Sequence, residues 1–377
     1  MKLCVVGTGS FAQCFIPLFK AHPLVEEVSL ADLDADKLEE NSKRWELPLT
    51  YASLEHALDS DVDGVAIITQ NWMHGPQAAQ ALRAGKHVYS AVPSGNSVEQ
   101  IRDLVKAVEE TGGIYMIGET SSYYPGAIYC RARHAEGAFG KVVYSEGEYF
   151  HDWDHGLYEV MRWRGGENWR EHGGKPPMHY PTHSTGGIVT ILDTRTTHVS
   201  CQGFVDDHPD QVYAEGANTY GNRFSNQSAL FHMADGSMCR INEFRRIGHP
   251  SVERMSMFGT EGCFQNTLGG HIWTDKDGVT NLDGLLGCGR HDGYHDVSLV
   301  HEIRRLPKEF RGLPNGHQGS HQFLVDDFVK AVHDSVQPRL NNVWMAARYI
   351  VPGLVANESS RRGGELLEVP DFGDPPR

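Results

Sequence analysis

The feature that most constrains this chain is a glycine turn set between a strand and a helix at its start. Lys2 to Val6 is a short apolar run that leads directly into Gly7-Thr8-Gly9-Ser10-Phe11-Ala12. Phe11, Phe15, Leu18 and Phe19 then recur at helical spacing. Strand, glycine turn and helix, in that order, form the context that a dinucleotide fingerprint requires. Gly7 permits the tight turn, Gly9 lets the backbone approach a pyrophosphate, and Ala12 lets the helix pack closely on the strand. The phosphates are expected against Gly9, Ser10 and Phe11, where free N–H groups and the positive dipole end meet. A second apolar run, Val28 to Ala31, ends at Asp32, 20 residues after Ala12. A carboxylate there accepts hydrogen bonds from the adenosine ribose and repels a 2′-phosphate. The turn and Asp32 together predict NAD rather than NADP.

The alternation continues through strand Gly64–Ile68, a helix ending near Gly85, strand His87–Ser90, a helix over Val98–Thr111 and strand Ile114–Gly118. Strands separated by helices of this length build right-handed crossovers and a parallel sheet. Ligands bind beyond the carboxyl ends of such strands. Thr69, Asn71, His74, Val92, Pro93 and Glu119 are therefore expected to border the cofactor, with Tyr123 reaching the substrate. The expected architecture is an α/β Rossmann domain over 1–118 and an α+β domain with an open mixed sheet over 119–377. Its C-terminal helix is expected to return to the Rossmann domain. A length of 377 residues fits two cores better than one.

The balance of 34 basic and 49 acidic residues gives 34 − 49 = −15. That charge argues against nucleic acid and anionic membranes as partners, because phosphate binding needs clustered Lys and Arg. No apolar run approaches the ~18 residues of a membrane span, and the N-terminus reads as a strand rather than a signal peptide. Seven cysteines without a CxxC pair suit a reduced, cytoplasmic protein.

With the glycine turn, Asp32, Thr69-x-Asn71-x-x-His74 and Ala84-Gly85-Lys86-His87-Val88, the chain resembles the Gfo/Idh/MocA family of NAD(P)-dependent enzymes. The resemblance implies a larger C-terminal domain with an open mixed sheet and a homodimer or higher oligomer. It also exposes a departure. Family dehydrogenases carry Glu-Lys-Pro after the fourth strand, and this chain has Ala91-Val92-Pro93. Valine can neither move a proton nor hydrogen-bond a substrate. His179 likewise stands where those dehydrogenases hold an aspartate, four residues before His183.

The string Tyr180-Pro181-Thr182-His183 is similar to that of the NAD-dependent glycosidases of glycoside hydrolase family 109. Gly118-Glu119 and Tyr149-Phe150-His151 match that group too. The overall layout is also similar to the NAD-dependent sulfoquinovosidases. The resemblance implies oxidation at C3 of a sugar, elimination at C1, water addition and re-reduction, with the cofactor recycled. His183, Tyr180, Tyr149 and His151 are the expected proton-transfer residues; a tyrosine serves as C2 base only where a neighbouring charge lowers its pKa.

Residues 161–175 read as a loop rich in Trp and Arg. Trp faces stack on sugars and arginine forks bind carboxylate or sulfonate. Arg162, Trp163, Arg164 and His179 are thus expected to bind substrate, and Arg245-Arg246 adds a second basic pair. His151/His155 and His179/His183 are each spaced by four, but Pro181 interrupts a helix across the second pair, and no metal site is assigned. A further turn, Asn315 to His321, precedes a helix from about Gln322 to Ser335, with His317 or His321 as additional site candidates. The reading that follows is an NAD-dependent glycosidase acting on a small glycoside, an anionic one such as a sulfoquinovoside being an option. A sugar or polyol dehydrogenase and a non-catalytic NAD-binding sensor are the alternatives.

Overall fold

A computed structural model describes residues 1–375. The chain divides into two compact units. The first comprises Met1–Tyr129, Gly284–Ala347 and the segment from Phe372; the second comprises Cys130–Asp283 and Arg348–Asp371. The division differs from a single cut at 118, because a segment from far along the chain belongs with the N-terminal sheet.

In the first unit, strands β1 (Lys2–Val6), β2 (Glu27–Ala31), β3 (Thr50–Tyr51), β4 (Gly64–Ile67), β5 (His87–Ser90) and β6 (Tyr115–Ile117) form a parallel sheet of order β3-β2-β1-β4-β5-β6. That order reverses direction at β1/β4, the crevice that dinucleotides occupy in doubly wound folds. The glycine turn leads into a short 3-10 segment at Ala12–Cys14 and then α1 (Ile16–Ala21), so the first helix is shorter than its apolar spacing suggests. Helices α2 (Ala35–Trp45), α3 (Leu54–Leu58), α4 (His74–Arg83) and α5 (Val98–Thr111) supply the crossovers. Ser53 and Ser97 cap α3 and α5 through their side chains.

The core of this unit explains why residues 284–347 belong to it. Phe15, Phe19, Leu30 and Tyr89 are buried in one cluster with Tyr294, Phe310, Phe323 and Phe328. Phe19 and Tyr89 meet Phe328 edge-on, with ring centroids 6.4 and 5.7 Å apart. The last two of these residues lie on a helix over Ser320–Asp334. That helix packs on the N-terminal strands and α1, and the final helix, over Val343–Arg361, begins in this unit and passes into the second after Ala347.

The second unit begins within α6 (Pro125–Ala135) and is built on β7 (Val142–Phe150). Helices α7 (Leu157–Gly165), α8 (Trp169–Gly173) and α9 (Thr182–Leu192) follow, so the segment expected as a loop over 161–175 is largely helical. Trp153, Leu157, Trp169, Val212 and Tyr213 give it a small apolar core of its own, which the Trp and Arg content masks in the sequence. Strands β8 (Thr196–Val205), β9 (Phe224–Met233), β10 (Met238–Phe244), β11 (Val252–Gly259), β12 (Gly262–Thr267), β13 (Gly270–Asp275) and β14 (Gly278–Asn281) come next. Beyond α10 (Asp283–Leu286), β15 (Gly289–His291), β16 (Tyr294–Val297), α11 (Ser320–Asp334) and α12 (Val343–Arg361) lies β17 (Leu367–Glu368).

The resulting nine-stranded sheet has the order β14-β13-β12-β11-β7-β10-β9-β8-β17. β7 pairs with β10 in parallel and with β11 antiparallel, so the sheet is mixed. Helix α9 lies directly on β7 at Gly147, where a Cβ would stand 2.0 Å from the Ser184 carbonyl oxygen. The Ser184 hydroxyl bonds the buried Glu243 carboxylate on β10. Gly147→Ala is therefore expected to lower stability by about 1–3 kcal/mol, since a backbone atom must move. A denaturant midpoint compared with Gly284→Ala, where a Cβ meets nothing within 4 Å, checks this.

Candidate active site

The first unit carries the cofactor features. Gly7 has φ +87°, and a Cβ there would lie 2.5 Å from the Ile68 carbonyl oxygen, so turn and sheet leave room only for glycine. Asp32 accepts from the Thr8 backbone N–H at 2.7 Å and the Thr8 hydroxyl at 2.8 Å, while Asp34 caps α2. Asp32 is thus tied to the glycine turn rather than used as a helix cap. Gln13 holds the turn from behind, donating to the Thr8 and Gly9 carbonyls at 2.9 and 3.3 Å. Ser10 is exposed, Ala12 is fully buried, and Phe11 packs edge-on against His317 and His321 at 5.9 Å each.

Beyond β4 and β5, the buried Asn71 Oδ1, Ser94 Oγ and Asn96 Oδ1 have no hydrogen-bond partner. Orphaned polar atoms at the carboxyl ends of a doubly wound sheet are what a bound dinucleotide would satisfy. The Val92–Pro93 peptide is cis and both residues are buried. Thr69 donates its hydroxyl to Gln77 at 2.6 Å. The fully buried Glu119 accepts from the Ser121 N–H at 2.8 Å.

Two more of the expected residues make contacts within this unit. The His74 ring nitrogens face the Pro93 and Thr69 carbonyl oxygens at 3.0 and 3.1 Å, so the residue ties two of the expected cofactor loops together. Tyr123 is engaged through its hydroxyl with Asp327 and Arg305, and its ring stacks on Phe323 at 5.3 Å.

The second unit gathers the proton-transfer candidates. Strand register sets Tyr149 on β7 directly between Glu243 on β10 and Glu253 on β11. Because α9 packs at Gly147, its first turn brings His183 to 5.3 Å from the Tyr149 ring, and Tyr180 lies 6.1 Å from the same ring. The Glu253 carboxylate is 3.9 Å from His183 Nδ1. His151, just past β7, has Nδ1 2.9 Å from the Tyr149 hydroxyl. Beneath Tyr149 lies Arg245, its guanidinium 4.8 Å from the ring centre and paired with Glu243 at 2.8 Å. All four expected catalytic residues therefore converge on one patch.

Burial governs the titration of this patch. It pushes the Tyr149 phenol far up, outweighing the opposing charges of Arg245 and Arg164. Burial thus opposes the phenolate that a base role for Tyr149 requires. Burial, with Arg245 and Arg164, pushes His151 down to about 4. Burial also holds Glu243 up at about 7 despite Arg245 beside it. His179 is pushed down to about 3 by burial and by Lys175, and its Nε2 meets the Asn357 amide at 3.2 Å.

The expected anion-binding arginines divide. Arg162 lies over the Tyr158 and Trp169 rings at 5.7 Å each, and Trp163 is 54% exposed. Arg164 does act on Tyr149, His151 and Lys175. Arg245 is committed to Glu243, and Arg246 to Asp206 and Asp210. His155 bonds Asp152 at 2.8 Å. Among the described residues no group of three or more His, Cys, Asp and Glu could hold a metal.

Sequence reasoning missed Lys175 and Glu253. Lys175 stands four residues before His179 in the same string, a signal that was available; its ammonium is buried without a hydrogen-bond partner, 5.6 Å from the Tyr180 ring centre. Glu253 is 70 residues from His183 and enters only through the β7/β11 register.

A two-unit chain with an NAD-type Rossmann sheet and a mixed-sheet unit is the class that fold and site define. The Gfo/Idh/MocA family model, described as an oxidoreductase family with an NAD-binding Rossmann fold, matches residues 1–119. The chain is 24% identical to a glycosyl hydrolase family 109 protein of Saccharopolyspora erythraea, over 99% of this chain and 83% of that one. It is 23% identical to an alpha-N-acetylgalactosaminidase of Tannerella forsythia, over 99% and 86%. Among solved structures, levoglucosan dehydrogenase in complex with NADH superposes with a TM-score of 0.77 at 16% identity, covering 99% of this chain and 100% of that one. The myo-inositol 2-dehydrogenase of Lactobacillus plantarum does so with 0.73 at 17%, covering 98% and 99%. The N-terminal domain is thus of the NAD-binding Rossmann kind that the Gfo/Idh/MocA family model describes, and along its full length the chain is like the family 109 proteins. No helix among the described residues is long and apolar enough to cross a membrane.

Two outcomes check this description. Asp32→Ala is expected to weaken NAD binding about tenfold, the order of one charge-assisted hydrogen bond, measured by quenching of protein fluorescence. Histidine-labelled NMR, with His151→Gln to assign the signal, is expected to place the His151 transition near pH 4. Since that pKa lies below the unfolded value, the unfolded chain binds the proton first, and stability drops as pH falls from about 6.5 towards 4.

Proposed function

We propose that the chain is an NAD-dependent glycoside hydrolase that works by transient oxidation at C3 of a sugar, elimination at C1, addition of water and re-reduction. The observation that carries this reading is the convergence of Tyr149, His151, Tyr180 and His183 on one patch, in a chain with Val92 where family dehydrogenases hold lysine. Full-length likeness to proteins named for family 109 supports it. Bound NAD supplies reversible hydride acceptance, so net hydrolysis consumes none of it.

The chain's own groups divide the proton work. His183 takes the C3 hydroxyl proton, and Glu253 at 3.9 Å offsets the charge that the imidazole gains. Tyr180 takes the C2 proton. Tyr149, held protonated by burial, donates to a sugar oxygen; in its Nδ1-protonated tautomer His151 donates to the phenol oxygen and orients it. Glu119, Asn71, Thr69 and the Val92–Pro93 segment line the cofactor. The substrate is a small glycoside, with an anionic sugar such as a sulfoquinovoside favoured by the positive Arg164 near the patch. The protein is assigned to the cytoplasm, in keeping with its seven unpaired cysteines, and to a homodimer or higher homo-oligomer.

The test is turnover of nitrophenyl glycosides by the NAD-loaded protein in deuterated water. Nitrophenol release with deuterium at C2 is expected. Stoichiometric NADH instead would make the chain a sugar dehydrogenase, and neither product would make it a sensor. Tyr149→Phe and His183→Ala are each expected to lower kcat by about 10²–10⁴.

A further inference from the structure

Lys175 is a member of the patch that the proposed chemistry leaves unused. It lies between α8 and the turn before α9, and its chain neighbours Gly173, Gly174 and Pro176 are all buried. Part of the side chain reaches solvent, but the ammonium nitrogen itself is buried and has no hydrogen-bond partner. Its nearest described aromatic contact is the Tyr180 ring, 5.6 Å from the nitrogen. The charges that act on it are Arg164 on α7 and Arg245 after β10, both positive.

Arg245 already has Glu243 as its counter-charge. Lys175 has none. An ammonium buried without an acceptor and beside like charges is held at a cost in free energy, and such groups concentrate where a ligand offsets it. Burial, Arg164 and Arg245 together push the Lys175 amine down to about 7, so an anion arriving there restores its charge. A neutral hydroxyl would satisfy one hydrogen bond and leave the like-charge repulsion in place. An anionic oxygen meets both needs.

We propose that Lys175, backed by Arg164, is the seat of an anionic oxygen group, carboxylate or sulfonate, carried by the sugar that the Tyr149–His183 patch receives. The proposal rests on the reading of that patch as a sugar site. It also moves anion recognition from Arg162, which is committed to Tyr158 and Trp169, to a residue five positions before Tyr180.

The experiment is calorimetric binding of glucuronate, 6-deoxy-6-sulfoglucose and glucose to the NAD-loaded protein. Binding is read without turnover, so a protein that binds the anions but releases no nitrophenol would sink the hydrolase reading alone. The wild-type chain is expected to prefer at least one anionic sugar over glucose by about 10–100-fold, the range of a charge-assisted contact; which of the two binds separates carboxylate from sulfonate. Lys175→Met should abolish that preference and leave glucose binding within about twofold. Lys175→Arg should retain part of it. The preference should also fade above about pH 7 as the amine loses its proton; the groups facing it are Arg164, Arg245, Tyr180 and His179. Removing an unpaired buried charge should raise the Tm of the ligand-free Lys175→Met protein, a shift opposite to that of a structural residue. Equal binding of glucose and both anions, an unchanged preference in Lys175→Met, or a lowered Tm would each overturn the assignment.

Discussion

The register of three strands is the constraint on which the second unit depends. β7 runs parallel to β10 and antiparallel to β11, and in that alignment Glu243, Tyr149 and Glu253 fall in one row. Two carboxylates flanking a phenol would repel each other and its ionised form if left alone. Arg245 beneath the ring and His183 beside Glu253 convert the row into a set of opposed charges. A shift of one residue in either pairing would turn one carboxylate to the opposite face. Gly147 then decides what covers the row, because only a residue without a side chain lets the first turn of α9 sit on β7.

The same burial that assembles the patch assigns its members different tasks. Tyr149 and His151 are driven towards their neutral forms, the first by a raised and the second by a lowered pKa. Arg245 keeps its charge because Glu243 shares its site. The patch thus mixes neutral donors with fixed charges at short range. Where family dehydrogenases rely on one lysine after the fourth strand, this chain has Val92 there and spreads ionisable groups over β7, β10, β11 and α9. The same unit holds an apolar cluster around Trp153 and a Thr185 hydroxyl bonded to the Tyr349 carbonyl at 2.9 Å.

Much of the first unit was legible in the sequence because its signals are local. The glycine turn, the strand ending at Asp32 and the helix over Val98–Thr111 each announce themselves within about fifteen residues, by periodicity and turn chemistry. The patch was half legible. Tyr180 and His183 share a string, and Tyr149 and His151 share a strand end, so residue types close in sequence pointed the right way. What stayed hidden was non-local: the register that adds Glu253, the pairing that occupies Arg245 and Arg246, and the burial that raises the Tyr149 pKa. Residues 161–175 misled for a different reason. Their glycines and arginines read as loop, while tertiary packing of Trp169 against Trp153 stabilises helices that local propensity does not favour.

The cluster that joins Phe15, Phe19 and Tyr89 to Phe323 and Phe328 bears on how the chain comes into being. On the ribosome the glycine turn and its first helix emerge early, while the rings that cover them are made more than 200 residues later. Throughout that interval a nascent parallel sheet carries uncovered aromatic surface, the condition in which chains aggregate or recruit chaperones. The nucleotide fold of this protein is therefore written long before the residues that complete its core.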